Sequence, residues 1–270
     1  MTIVTKMTRL IGAWVAGLLA VGALSAACGG SPTKPTPSNA VPSTNVFSAT
    51  LSPGGKIFYT PIITEASDVT MTLVSVTAVG GNVALQTRIG LAYGVPDEAD
   101  PANTCNRTNQ TTATPSLLTQ FRVTSTAVSH CVEVFDPGGL TSDVVFAVRV
   151  IITPVLFKPP TPAATAGTDT FTGLLPVGST ASRAFTTAQA GPINVTLTSA
   201  GPPANVRVGL GLGVPKADNS SCYVTTTVTT TAGSAPQISM PVEPGSYCVR
   251  VFDPGTMTAA ISFTTTAAHP

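Results

Sequence analysis

Charge is what this sequence has least of: 9% of its residues are Asp, Glu, Lys or Arg, against roughly a quarter in ordinary soluble domains. Thirteen basic against twelve acidic residues leave a formal net charge of +1. With no basic excess to neutralise phosphates, no nucleic-acid partner is expected. Two histidines and one tryptophan make a poor catalytic kit. No Gly-x-Ser-x-Gly, His-Glu-x-x-His or phosphate-cradling glycine loop occurs, so nothing localises a hydrolytic or nucleotide site. Lys, Glu and Gln, common fillers of exposed helix faces, are scarce, and no long amphipathic helix is expected. What the chain does have is 43% hydrophobic residues, abundant Val and Thr, 24 Gly and 24 Pro in 270 residues, room for two modest domains.

The N-terminus reads as an export signal over 1–27. Lys6 and Arg9 precede an apolar run from Leu10 to Leu24, followed by Ser25, Ala26, Ala27 and Cys28. The run is shorter than the ~20 residues that span a bilayer core. Leu24-Ser25-Ala26-Ala27-Cys28 resembles the lipobox of bacterial lipoproteins, in which the cysteine becomes the lipidated first residue. Ser25 stands where that family usually carries an aliphatic residue, and an ordinary cut after Ala27 is the alternative. The resemblance implies lipid attachment at Cys28, a membrane partner through that anchor, and a cell-envelope location. Gly29 after the cysteine resembles outer-membrane sorting. Residues 28–45 hold Pro32, Pro35, Pro37 and Pro42 and no apolar period, which suits an extended tether of up to about 50 Å. Removing the signal takes away Lys6, Arg9 and Trp14.

The rest of the chain is an internal repeat. Arg88-Ile89-Gly90-Leu91-Ala92-Tyr93-Gly94-Val95-Pro96 returns as Arg207-Val208-Gly209-Leu210-Gly211-Leu212-Gly213-Val214-Pro215. Cys131-Val132-Glu133-Val134-Phe135-Asp136-Pro137-Gly138 returns as Cys248-Val249-Arg250-Val251-Phe252-Asp253-Pro254-Gly255. Each copy is about 100 residues, the size of a complete β-sandwich and far beyond a solenoid unit. Tandem domains are therefore expected over 46–153 and 168–266, joined by a Pro/Ala linker over 154–167.

Val and Thr with period-two alternation predict strands at 68–79, 83–93, 117–123, 130–135 and 143–152 of the first copy. In the last of these Val144, Phe146, Val148, Val150 and Ile152 share a face and Arg149 lies opposite, which predicts a half-buried strand. Seven or eight short strands per copy imply an all-β fold of two tandem antiparallel sandwiches, jelly-roll-like or immunoglobulin-like.

Cys105 and Cys131 are 26 residues apart, as are Cys222 and Cys248. A separation repeated in both copies predicts disulfides within each copy, and two cysteines per domain are too few for structural zinc. Cys131 shares strand parity with Glu133, and Cys248 with Arg250, so each bridge is expected outside the sandwich core, tying a loop across the outer face. His130 has the parity of Val132 and is replaced by Tyr247, which marks a core position. Asp136-Pro137-Gly138 and Asp253-Pro254-Gly255 have turn chemistry rather than that of a cation site. Asp97, Glu98 and Asp100 are the densest acidic cluster and a calcium candidate, whereas the second copy offers only Lys216, Asp218 and Asn219 there. Glu133 against Arg250 reverses local charge between equivalent surfaces, so the copies are candidates for different roles.

Gly245-Ser246-Tyr247-Cys248-Val249-Arg250-Val251-Phe252-Asp253, after Gln237-Ile238-Ser239-Met240-Pro241-Val242, resembles the final hairpin of bacterial pre-peptidase C-terminal domains. The first copy has Val128-Ser129-His130 in place of Gly-Ser-Tyr. The resemblance implies secreted sandwich modules that accompany other activities and carry no catalytic residues. The expectation is a non-enzymatic envelope lipoprotein, without cofactor or metal, presenting its sandwiches to an envelope or extracellular protein or glycan. A structural spacer is the second reading and a sandwich-fold hydrolase the third.

Overall fold

The computed structural model describes residues 41–99, 104–126, 129–157 and 166–270. The signal, Cys28, most of both proline-rich segments and Asp100 lie outside the described residues. The first copy forms β1 (Ser43–Leu51), β2 (Lys56–Tyr59), β3 (Ser67–Ala78), β4 (Ile89–Pro96), β5 (Cys105–Ala113), β6 (Phe121–Ser125), β7 (Cys131–Phe135) and β8 (Val144–Pro154). The second repeats them as β9 (Gly167–Leu175), β10 (Thr180–Thr187), β11 (Gly191–Gly201), β12 (Val208–Pro215), β13 (Cys222–Thr230), β14 (Ile238–Val242), β15 (Gly245–Phe252) and β16 (Ile261–His269).

Strand order is β1-β8-β3-β6 facing β2-β7-β4-β5 in the first copy, and β9-β16-β11-β14 facing β10-β15-β12-β13 in the second. Every paired neighbour is antiparallel. Eight strands, with the chain passing between sheets and the last strand beside the first, make a jelly roll rather than the seven-stranded immunoglobulin arrangement. Alternation fills each interior: Met71, Leu73, Leu91, Val132, Phe146 and Val148 in one copy, Ile193, Leu197, Leu210, Val249, Val251 and Phe263 in the other.

Both copies carry the same irregularities. Register slips by one residue between Leu73 and Ser75 on β3 and between Leu197 and Ser199 on β11, leaving Val74 and Thr198 as bulges. The side-chain oxygen of Gln120 accepts the Leu73 N–H at 2.8 Å, and Gln237 accepts that of Leu197 at 2.7 Å. Further bulges leave Thr108 and Thr225 unpaired on β5 and β13. Gly90 and Gly209 lie under the rings of Phe135 and Phe252, where a Cβ would collide with the aromatic carbons.

The copies do not hang apart on a linker; they pack into one compact unit. The outer face of the β1-β8-β3-β6 sheet lies against the outer face of the β10-β15-β12-β13 sheet. Val74, Leu117 and Ala147 of the first copy belong to the second copy's hydrophobic cluster. Hydrogen bonds cross the seam from Thr225 Oγ1 to the Val74 carbonyl (2.6 Å), from Gln86 Nε2 to the Thr225 carbonyl (3.2 Å), from the Ala84 N–H to Thr227 Oγ1 (3.2 Å), and between the Ser48 and Tyr223 hydroxyls (2.7 Å).

This docking corrects three expectations. β8 is not half-buried, because Ala147 and Arg149 on its outer face are covered, Arg149 being 3% exposed. The strand expected from 83 begins at Ile89; the preceding residues run over the second copy, with only Ala84 bridging to Thr77. The strand expected from 117 begins at Phe121, because Leu117 turns onto the second copy and is fully buried.

Candidate functional site

The disulfides join Cys105 to Cys131 and Cys222 to Cys248. Cys105 and Cys222 open β5 and β13, so each bridge ties the two strands flanking β4 or β12 rather than a loop. Both bridges lie outside the main cores, yet all four cysteines are buried. The second bridge clusters with Val224 under Ala84 of the first copy.

The Asp-Pro-Gly motifs are structural clamps. Oδ1 of Asp136 accepts the N–H groups of Gly138, Gly139 and Leu140, while Oδ2 accepts that of Gly54 at 2.8 Å. Oδ1 of Asp253 likewise accepts from Gly255, Thr256 and Met257, and Oδ2 from Gly178 at 2.8 Å. The Gly54 bond is the main cause that holds the Asp136 pKa below the usual carboxylate value. For Asp253, burial pushes the pKa up, but the four N–H donors together outweigh it and the net shift is down.

The remaining candidates fall to ordinary roles. His130 is 7% exposed, stacks on Tyr93 with ring centroids 4.9 Å apart, and contacts the Thr126 carbonyl at 3.1 Å through Nε2. Asp97 Oδ1 accepts the Ala99 N–H at 2.8 Å, closing a turn. Among the described residues no group of three His, Cys, Asp or Glu is placed to hold a metal ion. Glu133, 1% exposed, is held by Arg107 in a two-pronged ion pair of 2.6 and 3.1 Å, and the Arg107 guanidinium lies 3.8 Å from the Phe135 ring centre. Arg250, at the equivalent position, instead donates to Asn82 Oδ1 across the seam. Burial holds its pKa below the ordinary arginine value. The charge reversal therefore separates a self-sealed open face from a docked one.

What the fold assembles instead is a groove where the edge strand β1 meets the second copy. One part, about 640 Å³, is lined by Thr44, Asn45, Phe47, Tyr59, Thr60 and Ile62 among others. Phe47 and Tyr59 have ring centroids 3.6 Å apart. Burial, and then the nearby Tyr223, push the Tyr59 hydroxyl pKa up, so Tyr59 stays a neutral hydrogen-bonding group. The adjoining part, about 310 Å³, includes Thr44, Arg149, Lys216, Asn219, Gly245 and Ser246 in its lining. Thr44, Val46 and Ala217 border both parts. An aromatic wall, several hydroxyl and amide groups and two cations can hold a polar ligand by stacking, hydrogen bonding and charge.

The seam residues, Arg149 of the groove among them, stand out only where the two copies differ. Tyr223, Val224 and Arg250 at the seam replace Asn106, Arg107 and Glu133, and Val74, Ala147 and Arg149 replace Thr198, Thr264 and Thr266.

No protein family matches the chain, and no curated protein matches it. Among solved structures, the chain is similar to one from the Sulfolobus turreted icosahedral virus, at 11% identity and TM-score 0.26, over 87% of this chain and 96% of that one. It is similar to the PBSX exported protein XepA, at 12% identity and TM-score 0.28, over 84% and 86%. It is also similar to PNGase F, a glycosylasparaginase from Flavobacterium meningosepticum, at 10% identity and TM-score 0.27, over 84% and 96%. The fold assignment rests on this chain's own strand order.

Proposed function

We propose that this is a non-enzymatic cell-envelope lipoprotein, anchored through Cys28, whose paired jelly rolls bind a glycan in the groove between β1 and the second copy. The observation that carries the reading is the close-packed, mutually tilted Phe47–Tyr59 pair beside Thr44, Asn45 and Thr60, because aromatic side chains with nearby hydroxyl and amide groups suit sugar rings. The lipobox-like Leu24–Cys28 segment and the proline-rich tether support the envelope location. The likeness of β15 and its turn to pre-peptidase C-terminal domains agrees with an accessory module. Glycan-array binding by the full chain, with and without Tyr59→Ala, tests the groove; retention of all binding by the variant would refute it. Intact mass after extraction from native membranes tests the anchor: a chain beginning at acylated Cys28 is expected, and an unacylated soluble chain would overturn it.

A second reading, a rigid spacer, draws on the seam itself, since six hydrogen bonds and shared apolar packing fix the two copies as one body.

A further inference from the structure

Arginine at a buried position normally has a carboxylate partner, because a guanidinium removed from water without compensation is costly. Arg149 is 3% exposed, and among the described residues it forms no ion pair. Its Nη2 donates to the Leu117 carbonyl at 3.1 Å, its Nε has no hydrogen-bond partner, and the guanidinium carbon lies 5.7 Å from the centre of the Tyr247 ring. Glu243, the nearby acid, is engaged elsewhere: its Oε2 accepts the Thr119 hydroxyl at 2.6 Å, and its backbone carbonyl accepts the Tyr247 hydroxyl. Nη1 would lie 3.6 Å from a Cβ at Gly245, which lines the 310 Å³ part of the groove.

That cavity carries a second cation and no acidic lining residue. Lys216 borders it, with Nζ 5.5 Å from the Tyr223 ring centre, and Asn219 and Ser246 add neutral hydrogen-bonding groups. At about 310 Å³ the space is at the small end of ligand sites and suits one sugar-sized unit. The second copy offers no equivalent, since Thr266 occupies the position matching Arg149.

We propose that the cavity is an anion-recognition subsite that takes the carboxylate of an acidic sugar, with Arg149 and Lys216 as its cations. The inference rests on the glycan reading of the groove and specifies the ligand: one uronic acid would enter the cavity with its carboxylate, and the neighbouring sugar units would lie along Phe47 and Tyr59. The sugar is favoured over an acidic peptide because the same groove supplies an aromatic wall bordered by hydroxyl and amide side chains.

The test is calorimetric titration of the full chain at low salt with trigalacturonate, with its methyl ester as an uncharged match of the same shape, and with triglutamate. The acid should bind about tenfold more tightly than the ester. Arg149→Gln should abolish that preference. Lys216→Gln, at a partly exposed position outside the cores, should reduce it severalfold; circular dichroism and the thermal midpoint verify that each variant is folded. Equal affinity for acid and ester would overturn the subsite while leaving the glycan reading standing. Binding of neither sugar would remove both. Triglutamate binding as tightly as trigalacturonate would overturn the assignment to a sugar, and a preference that survives both substitutions would overturn the assignment to these two cations.

Discussion

The hydroxyl of Thr225 donates a 2.6 Å hydrogen bond to the carbonyl of Val74, and each residue is the unpaired member of a β-bulge in its own copy. A bulge releases a backbone group from its ladder; here the carbonyl released on one sheet is satisfied by a side chain released on the other. Thr108, the counterpart of Thr225, bonds the Tyr93 carbonyl at an exposed position.

Thr225→Val should therefore weaken the protein by about 1–3 kcal/mol, because it leaves a buried carbonyl unsatisfied at constant shape. Thr108→Val, where water can substitute, should change stability by less than ~0.5 kcal/mol. Urea unfolding of both variants checks the contrast, and equal losses would contradict the role assigned to the seam.

Acid should act through the two aspartate clamps. Asp136 and Asp253 both have folded pKa values held below the unfolded one, by N–H donors that outweigh any burial effect. The unfolded chain thus binds protons first as pH falls. The stabilisation is complete above the unfolded value of about 3.9 and is lost as pH drops through the lower folded values. Unfolding midpoints measured from pH 6 down to pH 2 should decline below about pH 4. Asp136→Asn and Asp253→Asn should each flatten that decline; a wild-type midpoint independent of pH over the range would contradict the assignment.

Reduction should discriminate between the disulfides. Each closes a loop of 26 residues, for which the chain-entropy model gives about 3.5 kcal/mol. Cys222–Cys248 is additionally covered by Ala84 of the first copy. Under mild reductant in native conditions, alkylation mapped by peptide mass should appear first at Cys105 and Cys131. Loss of both, about 7 kcal/mol in the same model, should lower the thermal midpoint by roughly 14–28 °C, with strand content retained below it.

Period-two alternation and repeated motifs made the sandwich legible, since Val132, Val134, Phe146 and Val148 point inward as their parity predicts. The cysteine spacing and the Asp-Pro-Gly turns were equally readable, because both depend on local chemistry. The docked seam was not, because burial of an outer face depends on contacts distant in sequence: Arg149 looks solvent-facing within its own strand, and Leu117 looks like strand core. β5 escaped individual recognition because its Asn, Arg, Gln and Thr side chains are mostly exposed on an edge strand. The groove depends on the seam and was hidden with it.

The seam also joins unlike faces, and such a contact has no built-in end: every unit added in the same way would leave the same surfaces free for another, the geometry from which fibres grow. The free outer faces of this protein lack the residues that would continue it. Thr198, Thr264 and Thr266 stand where Val74, Ala147 and Arg149 would be required, and on the opposite side Arg107 and Glu133 neutralise each other where Val224 and Arg250 would be required. The matching surfaces of the joint are thus present once each, so the joint is single and finite, and the groove exists once because the joint does.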